Sequence, residues 1–278
     1  MFSTLRIAIV VIVVFELFAP VMTSAQINFE KSGYYVSLGD SVAAGEGALP
    51  VTHGFVYQLY DRGVFGRRQV MDFSNIGIKG ITADEVQALQ VPQALCIQPP
   101  RIGVAPSVIT LTVGANDFFV YIGTYGVPPN PLADIPIVAD AIAAKVANII
   151  RSLVFGVAGL PAYCAQNGIP GIRVLAFNYY SFNHPDPQIN FVLDLALQSF
   201  SAGLQTRIAQ IQSDIQTAGK TARVGFVDTF SAMEGRRGLL LIEKRNGFVG
   251  GFDFEIHPTN AGHTVIAREF ERVWNSLQ

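Results

Sequence analysis

The chain has 278 residues, of which half are apolar and 14% charged, and its formal net charge is −2. A nearly neutral chain without a basic tract lacks the clustered positive footprint of nucleic-acid binding, so no nucleic-acid partner is expected. Its apolar content is enough to bury the core of one large domain.

The N-terminus has the grammar of an export signal. Arg6 precedes an unbroken apolar run from Ile7 to Phe15, and Thr23-Ser24-Ala25 supplies small residues at a cleavage site. A spanning helix needs about 20 apolar residues, and this run is shorter and ends at Glu16. Residues 1–25 are therefore expected to be a cleaved signal peptide, and residues 26–278 one domain of a secreted or periplasmic protein. Beyond the leader, Ile135 to Val157 comes nearest to a membrane span, but Asp140, Lys145 and Arg151 interrupt it. No stable span is expected after cleavage. Cys96 and Cys164 remain in the exported part, where an oxidising compartment permits a disulfide between them.

Short β-rich runs then alternate with longer helical patterns. Tyr34 to Leu38 reads as a buried strand, and Ser74 to Gly77 as a shorter one. Thr82 with Glu85 forms a capping box that opens a helix towards Gln93. Val108 to Val113 is the next strand. Tyr121 to Pro136, rich in Gly, Pro and apolar residues, reads as a loop over one end of the sheet. Asp134 to Phe155 has helical spacing, Val174 to Phe177 is a strand, Phe191 to Thr217 is helical, and Val224 to Val227 is a further strand. Thr259 caps a terminal helix running to Trp274. Strands separated by helices imply a parallel sheet covered on both faces. In such sheets ligands bind beyond the carboxyl ends of the strands, so reactive residues are expected directly after strands.

Four segments meet that expectation. Ser41 follows the first strand through Gly39-Asp40. It suits either a nucleophile whose hydroxyl is lifted into the crevice or a plain helix N-cap. Asp40 is expected to support the turn by bonding backbone amides. Asn116, in Gly114-Ala115-Asn116-Asp117, offers an amide to a developing oxyanion, or is simply good turn chemistry. The turn Asn75 to Gly80 holds two glycines, Gly77 and Gly80, that permit close approach of backbone N–H groups to a substrate. His257, one of four histidines, follows the acidic and aromatic stretch Phe252-Asp253-Phe254-Glu255 and has the acid–base range to move a serine proton. His263 is expected to pack or cap, and His184 lies in a loop that suits the rim of a cleft. Phe118, Phe119 and Tyr121 suit either a pocket wall or the core.

Taken together, Leu38 to Gly45, Asn75 to Gly80, Val113 to Asp117 and His257 to His263 resemble the GDSL family, also called SGNH hydrolases. The resemblance implies an α/β, flavodoxin-like three-layer sandwich with a five-stranded parallel sheet. It also implies hydrolysis of carboxylic esters by an esterase or lipase, with no metal and no cofactor. Ser41 would be the nucleophile, His257 the general base, and Ser41, Gly80 and Asn116 the oxyanion hole. The substrate would be a small-molecule, lipid or acylated-glycan ester. The family usually places an aspartate three residues before the histidine, where this chain has Phe254. Glu255 is the expected replacement, with Asp253 as alternative, or a Ser–His pair oriented by a backbone carbonyl. The missing aspartate also leaves open a catalytically silent binder of acylated glycans or lipids.

Overall fold

A computed structural model describes residues 33–67, 71–96, 106–182, 186–235, 239–244 and 253–278. The side chains of residues 241–244 and 253–255 lie outside that description, as do the expected signal peptide and His184.

Five parallel strands form the central sheet: β1 (Gly33–Gly39), β2 (Met71–Asn75), β3 (Val108–Thr112), β4 (Arg173–Phe177) and β5 (Arg223–Val227), in the order β2-β1-β3-β4-β5. Every position of β1 and β3 is buried, as continuous runs such as Tyr34-Tyr35-Val36 and Val108-Ile109 require of strands covered on both faces. Val36, Leu38, Ile109 and Leu111 are essentially inaccessible. Each side chain buried in this way contributes about 1.5–3 kcal/mol relative to leaving it exposed.

The helices follow in chain order: α1 (Ser41–Ala44), α2 (Phe55–Asp61), α3 (Ala83–Glu85), a π-helical stretch Val86–Gln90, α4 (Val91–Cys96), α5 (Ala115–Tyr125), α6 (Pro131–Phe155), α7 (Pro187–Thr217), α8 (Thr229–Met233) and α9 (Asn260–Ser276). Helix α6 packs along α7, and α7 on β5; α9 packs against α2, β4 and β5. No described helix is long and apolar enough to cross a membrane. Cys96, at the end of α4, is joined by a disulfide to Cys164 in the connection after α6.

Three expectations need correction. The stretch read as a loop, Tyr121 to Pro136, is helical at both ends. Helix α5 continues to Tyr125 because Ile122 faces the core, and α6 starts at Pro131, whose ring suits the first helical position. The second strand begins earlier than Ser74, at Met71, where it pairs with Gly33. His257 does not follow a strand of the parallel sheet. It lies inside β7 (Asp253–Pro258), which pairs antiparallel with β6 (Leu240–Lys244) in a separate ribbon.

The chain runs from β1 outward to β2, then crosses to β3 on the other side of β1. This is the switch point at which a flavodoxin-like sheet opens a crevice. The ends of β1 and β3 lead directly to Ser41 and Asn116.

Candidate active site

The turn after β1 is built by its two flanking residues. Gly39 has φ +129°, and a Cβ there would lie 1.9 Å from the Thr112 carbonyl oxygen, so only glycine brings β1 this close to β3. Asp40 is the N-cap of α1: its Oδ1 accepts from Val42 N–H at 3.0 Å and from the Thr112 hydroxyl at 3.2 Å. Tyr179 donates its hydroxyl to Asp40 Oδ2. Asp40 therefore supports the turn through backbone amides as expected, and the N-cap reading of Ser41 gives way, because Ser41 is the first helical residue. Burial pushes the Asp40 carboxyl up to about 6 despite these hydrogen bonds. Burial, reinforced by the carboxylate, raises Tyr179 well above the usual phenol range.

Ser41 Oγ lies 2.8 Å from Nε2 of His257, across 216 positions of sequence. Both residues are buried, His257 at 3% exposure. The turn after α1 is packed against the histidine: at Gly47 (φ +90°) a Cβ would sit 2.2 Å from the Pro258 carbonyl oxygen and 3.0 Å from His257 Cβ. Tyr180 donates to the Ile256 carbonyl at 2.8 Å, holding β7 from the sheet side. Asp253 and Glu255 belong to β7 by backbone, but their side chains lie outside the described residues. His263 is structural. Its Nδ1 accepts from Phe55 N–H at 3.2 Å and its Nε2 donates to the Glu46 carbonyl at 3.0 Å. Burial lowers it to about 4, so the ring is neutral.

Gly80 and Asn116 are brought together by two consecutive residues of α5. Asn116 Nδ2 donates to the Ile81 carbonyl at 2.9 Å, and Asp117 Oδ2 accepts from Ala83 N–H at 2.7 Å. A primary amide carries two N–H protons, so the Ile81 bond leaves one for a ligand. Gly80 has φ +80° with nothing within 4 Å of its Cβ position, whereas a Cβ at Gly77 would meet Ala44 N at 2.6 Å. Of the two glycines, Gly80 is the one open to a ligand, and Gly77 is a packing residue. Ser41, Gly80, Asn116 and His257 all line one cleft of about 110 Å³.

The sequence profile of the GDSL-like Lipase/Acylhydrolase family matches residues 37–265. The chain belongs to that family. As a GDSL-like hydrolase it is a carboxylic-ester hydrolase. No curated protein matches it by sequence. Among solved structures it is similar to phospholipase A1 from Streptomyces albidoflavus NA297, with a TM-score of 0.54 and 16% identity over 88% of this chain and 99% of that one. The lipase Lip_vut3 from a goat rumen metagenome gives 0.53 and 15% over 87% and 97%. The M. smegmatis aryl esterase gives 0.51 and 16% over 89% and 100%. At these identities the likeness is one of fold.

The cleft of this GDSL-like hydrolase is walled by aromatic and apolar residues that sequence reasoning only partly found. Phe119 lines it and packs on Phe182 at 5.4 Å between ring centroids, while Phe118 is buried behind it and Tyr121 pairs with Tyr125 instead. Phe182, Ile256, Tyr179 and Tyr180 complete the wall. The two tyrosines went unnoticed in the sequence. Their one signal is position, directly beyond β4 at the same end of the sheet as Ser41 and Asn116.

Proposed function

We propose that the protein is an exported esterase or lipase that works through an acyl-serine intermediate. Ser41 Oγ attacks the ester carbonyl while His257 Nε2 takes its proton, and the imidazolium then gives that proton to the leaving alkoxide. Water, deprotonated by the same nitrogen, releases the acid and restores Ser41. Backbone N–H groups of Ser41 and Gly80 and the Asn116 amide hold the negative charge on the carbonyl oxygen. The observation that carries this reading is the 2.8 Å separation of Ser41 Oγ and His257 Nε2 within the cleft that Gly80 and Asn116 also line. Export is supported by the leader sequence and by the Cys96–Cys164 disulfide, which persists in oxidising compartments. The apolar walls Phe119, Phe182 and Ile256 favour short acyl or lipid-like esters over acetylated carbohydrate.

A fluorophosphonate probe tests the chemistry: it should label the protein at one site, and Ser41→Ala should abolish the label. Labelling that survives Ser41→Ala sinks the assignment. A chain-length series of nitrophenyl esters, run beside acetylated xylan, tests the substrate class, and faster turnover of the xylan would reverse it.

A further inference from the structure

Glu46 occupies the turn between Gly45 and Gly47, and its backbone is fixed on three sides. Its N–H donates to the Ser41 carbonyl at 2.9 Å, and its own carbonyl accepts from His263 Nε2 at 3.0 Å. The adjoining Gly47 packs on His257 and Pro258. This backbone aims the side chain at the reactive pair. Glu46 Oε2 lies 3.8 Å from His257 Nε2, the same nitrogen that meets Ser41 Oγ. Its other oxygen is paired with Lys79, the residue before Gly80, which lines the cleft. The three side chains form a gradient of exposure: 3% for His257, 25% for Glu46 and 59% for Lys79.

We infer that Glu46 is a second carboxylate partner of His257, acting from the Ser41 side of the ring, and that Lys79 sets how much of its charge the imidazole feels. This rests on the roles proposed above for Ser41 and His257. When His257 takes the serine proton it becomes a cation, and a carboxylate within 4 Å favours that form over the neutral ring. Lys79, drawn to the opposite oxygen, offsets part of the field. Glu46 is thus a positioning residue that tunes the base without touching substrate, and Lys79 acts through it.

Other titratable groups stand on the elements around His257. Asp40, raised by burial to about 6, stands behind Ser41, and His263 of α9 is neutral. Asp253 and Glu255 share its own strand, while Glu243 and Lys244 of β6 pair further along, opposite Phe254 and Asp253. All of these are unchanged in the variants below, so differences between variants report Glu46 and Lys79 alone.

The test is a direct titration of the His257 ring by NMR on histidine-labelled protein, the signal being assigned by its loss in His257→Gln. Glu46→Gln, which keeps the side-chain shape, should weaken proton binding to His257 by about threefold or more. Lys79→Met should strengthen it by a similar factor, and this effect should shrink when Glu46→Gln is also present. The rising limb of kcat/KM against pH should move in the same directions, to lower pH in Glu46→Gln and to higher pH in Lys79→Met. If Glu46→Gln lowers kcat but leaves the His257 titration in place, Glu46 is merely structural and the inference is overturned. Failure of the wild-type protein to react with fluorophosphonate would instead overturn the Ser41 reading.

Discussion

Gln90 holds Gly39 by both its N–H and its carbonyl: Oε1 accepts from Gly39 N–H at 2.7 Å, and Nε2 donates to Gly39 C=O at 3.0 Å. The same Nε2 reaches the Ile76 carbonyl at 2.8 Å, so one side chain joins the end of β1 to the turn that leads to Gly80. Gln90 is buried and ends the π-helical stretch, a local widening often found next to functional sites. It thereby fixes the two backbone segments that present Ser41 and Gly80.

Gln90→Met keeps the volume and removes the hydrogen bonds. Ile78 N–H still serves the Gly39 carbonyl, leaving the buried Gly39 N–H and the half-buried Ile76 C=O without their Gln90 partner. The buried Gly39 N–H left unsatisfied should cost the variant about 1–3 kcal/mol in urea unfolding. It should also lose turnover at temperatures where it remains folded, because the strand end behind Ser41 relaxes. Wild-type stability in Gln90→Met would show that the clamp is redundant.

Asn116 provides a sharper test of the oxyanion reading. Asn116→Ala should lower kcat by about a hundred- to a thousandfold with little change in KM, because the lost hydrogen bond forms mainly in the tetrahedral state. Steady-state kinetics on a nitrophenyl ester checks this. A fall confined to KM would place Asn116 in ground-state binding instead.

The sheet, its helices and the positions of Ser41 and Asn116 were legible because each depends on local pattern. A buried apolar run closed by Gly-Asp or Gly-Ala-Asn announces both the strand and the turn that follows. His257 was legible as a residue but not in its setting, since the stretch between β6 and β7 offers two turn signals, Asn246-Gly247 and Gly250-Gly251, and neither fixes the pairing of the ribbon. The supports of the site were hidden for a different reason. Gln90, Asp117, Tyr179 and Tyr180 support it through contacts 34 to 139 positions away, and although Asp117 stands in the Gly114–Asp117 turn and the tyrosines just beyond β4, nothing local names those distant partners. Glycine roles divided likewise: the sequence shows two glycines in the Asn75 to Gly80 turn, but only packing tells that Gly77 abuts α1 while Gly80 faces open space.

Two buried groups give stability opposite slopes with pH. Asp40 rises from 3.8 to about 6, so the folded state holds its proton more tightly, and this contribution is lost as pH climbs through that window. His263 falls from 6.5 to about 4, so its contribution is present above 6.5 and is lost as pH drops through that window. Each coupling is on the order of 3 kcal/mol at about 1.4 kcal/mol per pH unit. Relative to wild type, Asp40→Asn should gain stability as pH rises from 4 to 6, and His263→Gln should gain as pH falls from 6.5 to 4. Urea unfolding at a series of pH values measures both, and pH-independent differences would refute the couplings.

The carboxylate behind His257 is the last element to test, and strand geometry bears on it. The pairing skips Ile256, since Leu241 pairs with His257 and Ile242 with Glu255, so a bulge separates the two and the alternation of faces does not carry from His257 to positions 253–255. By chain distance Glu255 is the nearer of the two acids, two residues from His257 against four for Asp253, which is at most about 7 against 13 Å along the strand. Glu255→Gln should then lower kcat at least tenfold while the thermal unfolding midpoint stays near wild type, and Asp253→Asn should leave kcat nearly unchanged. A loss confined to Asp253→Asn would move the role to that residue. Near-wild-type turnover in both variants would leave His257 oriented by a backbone carbonyl, with Glu46 as the remaining acid beside the ring.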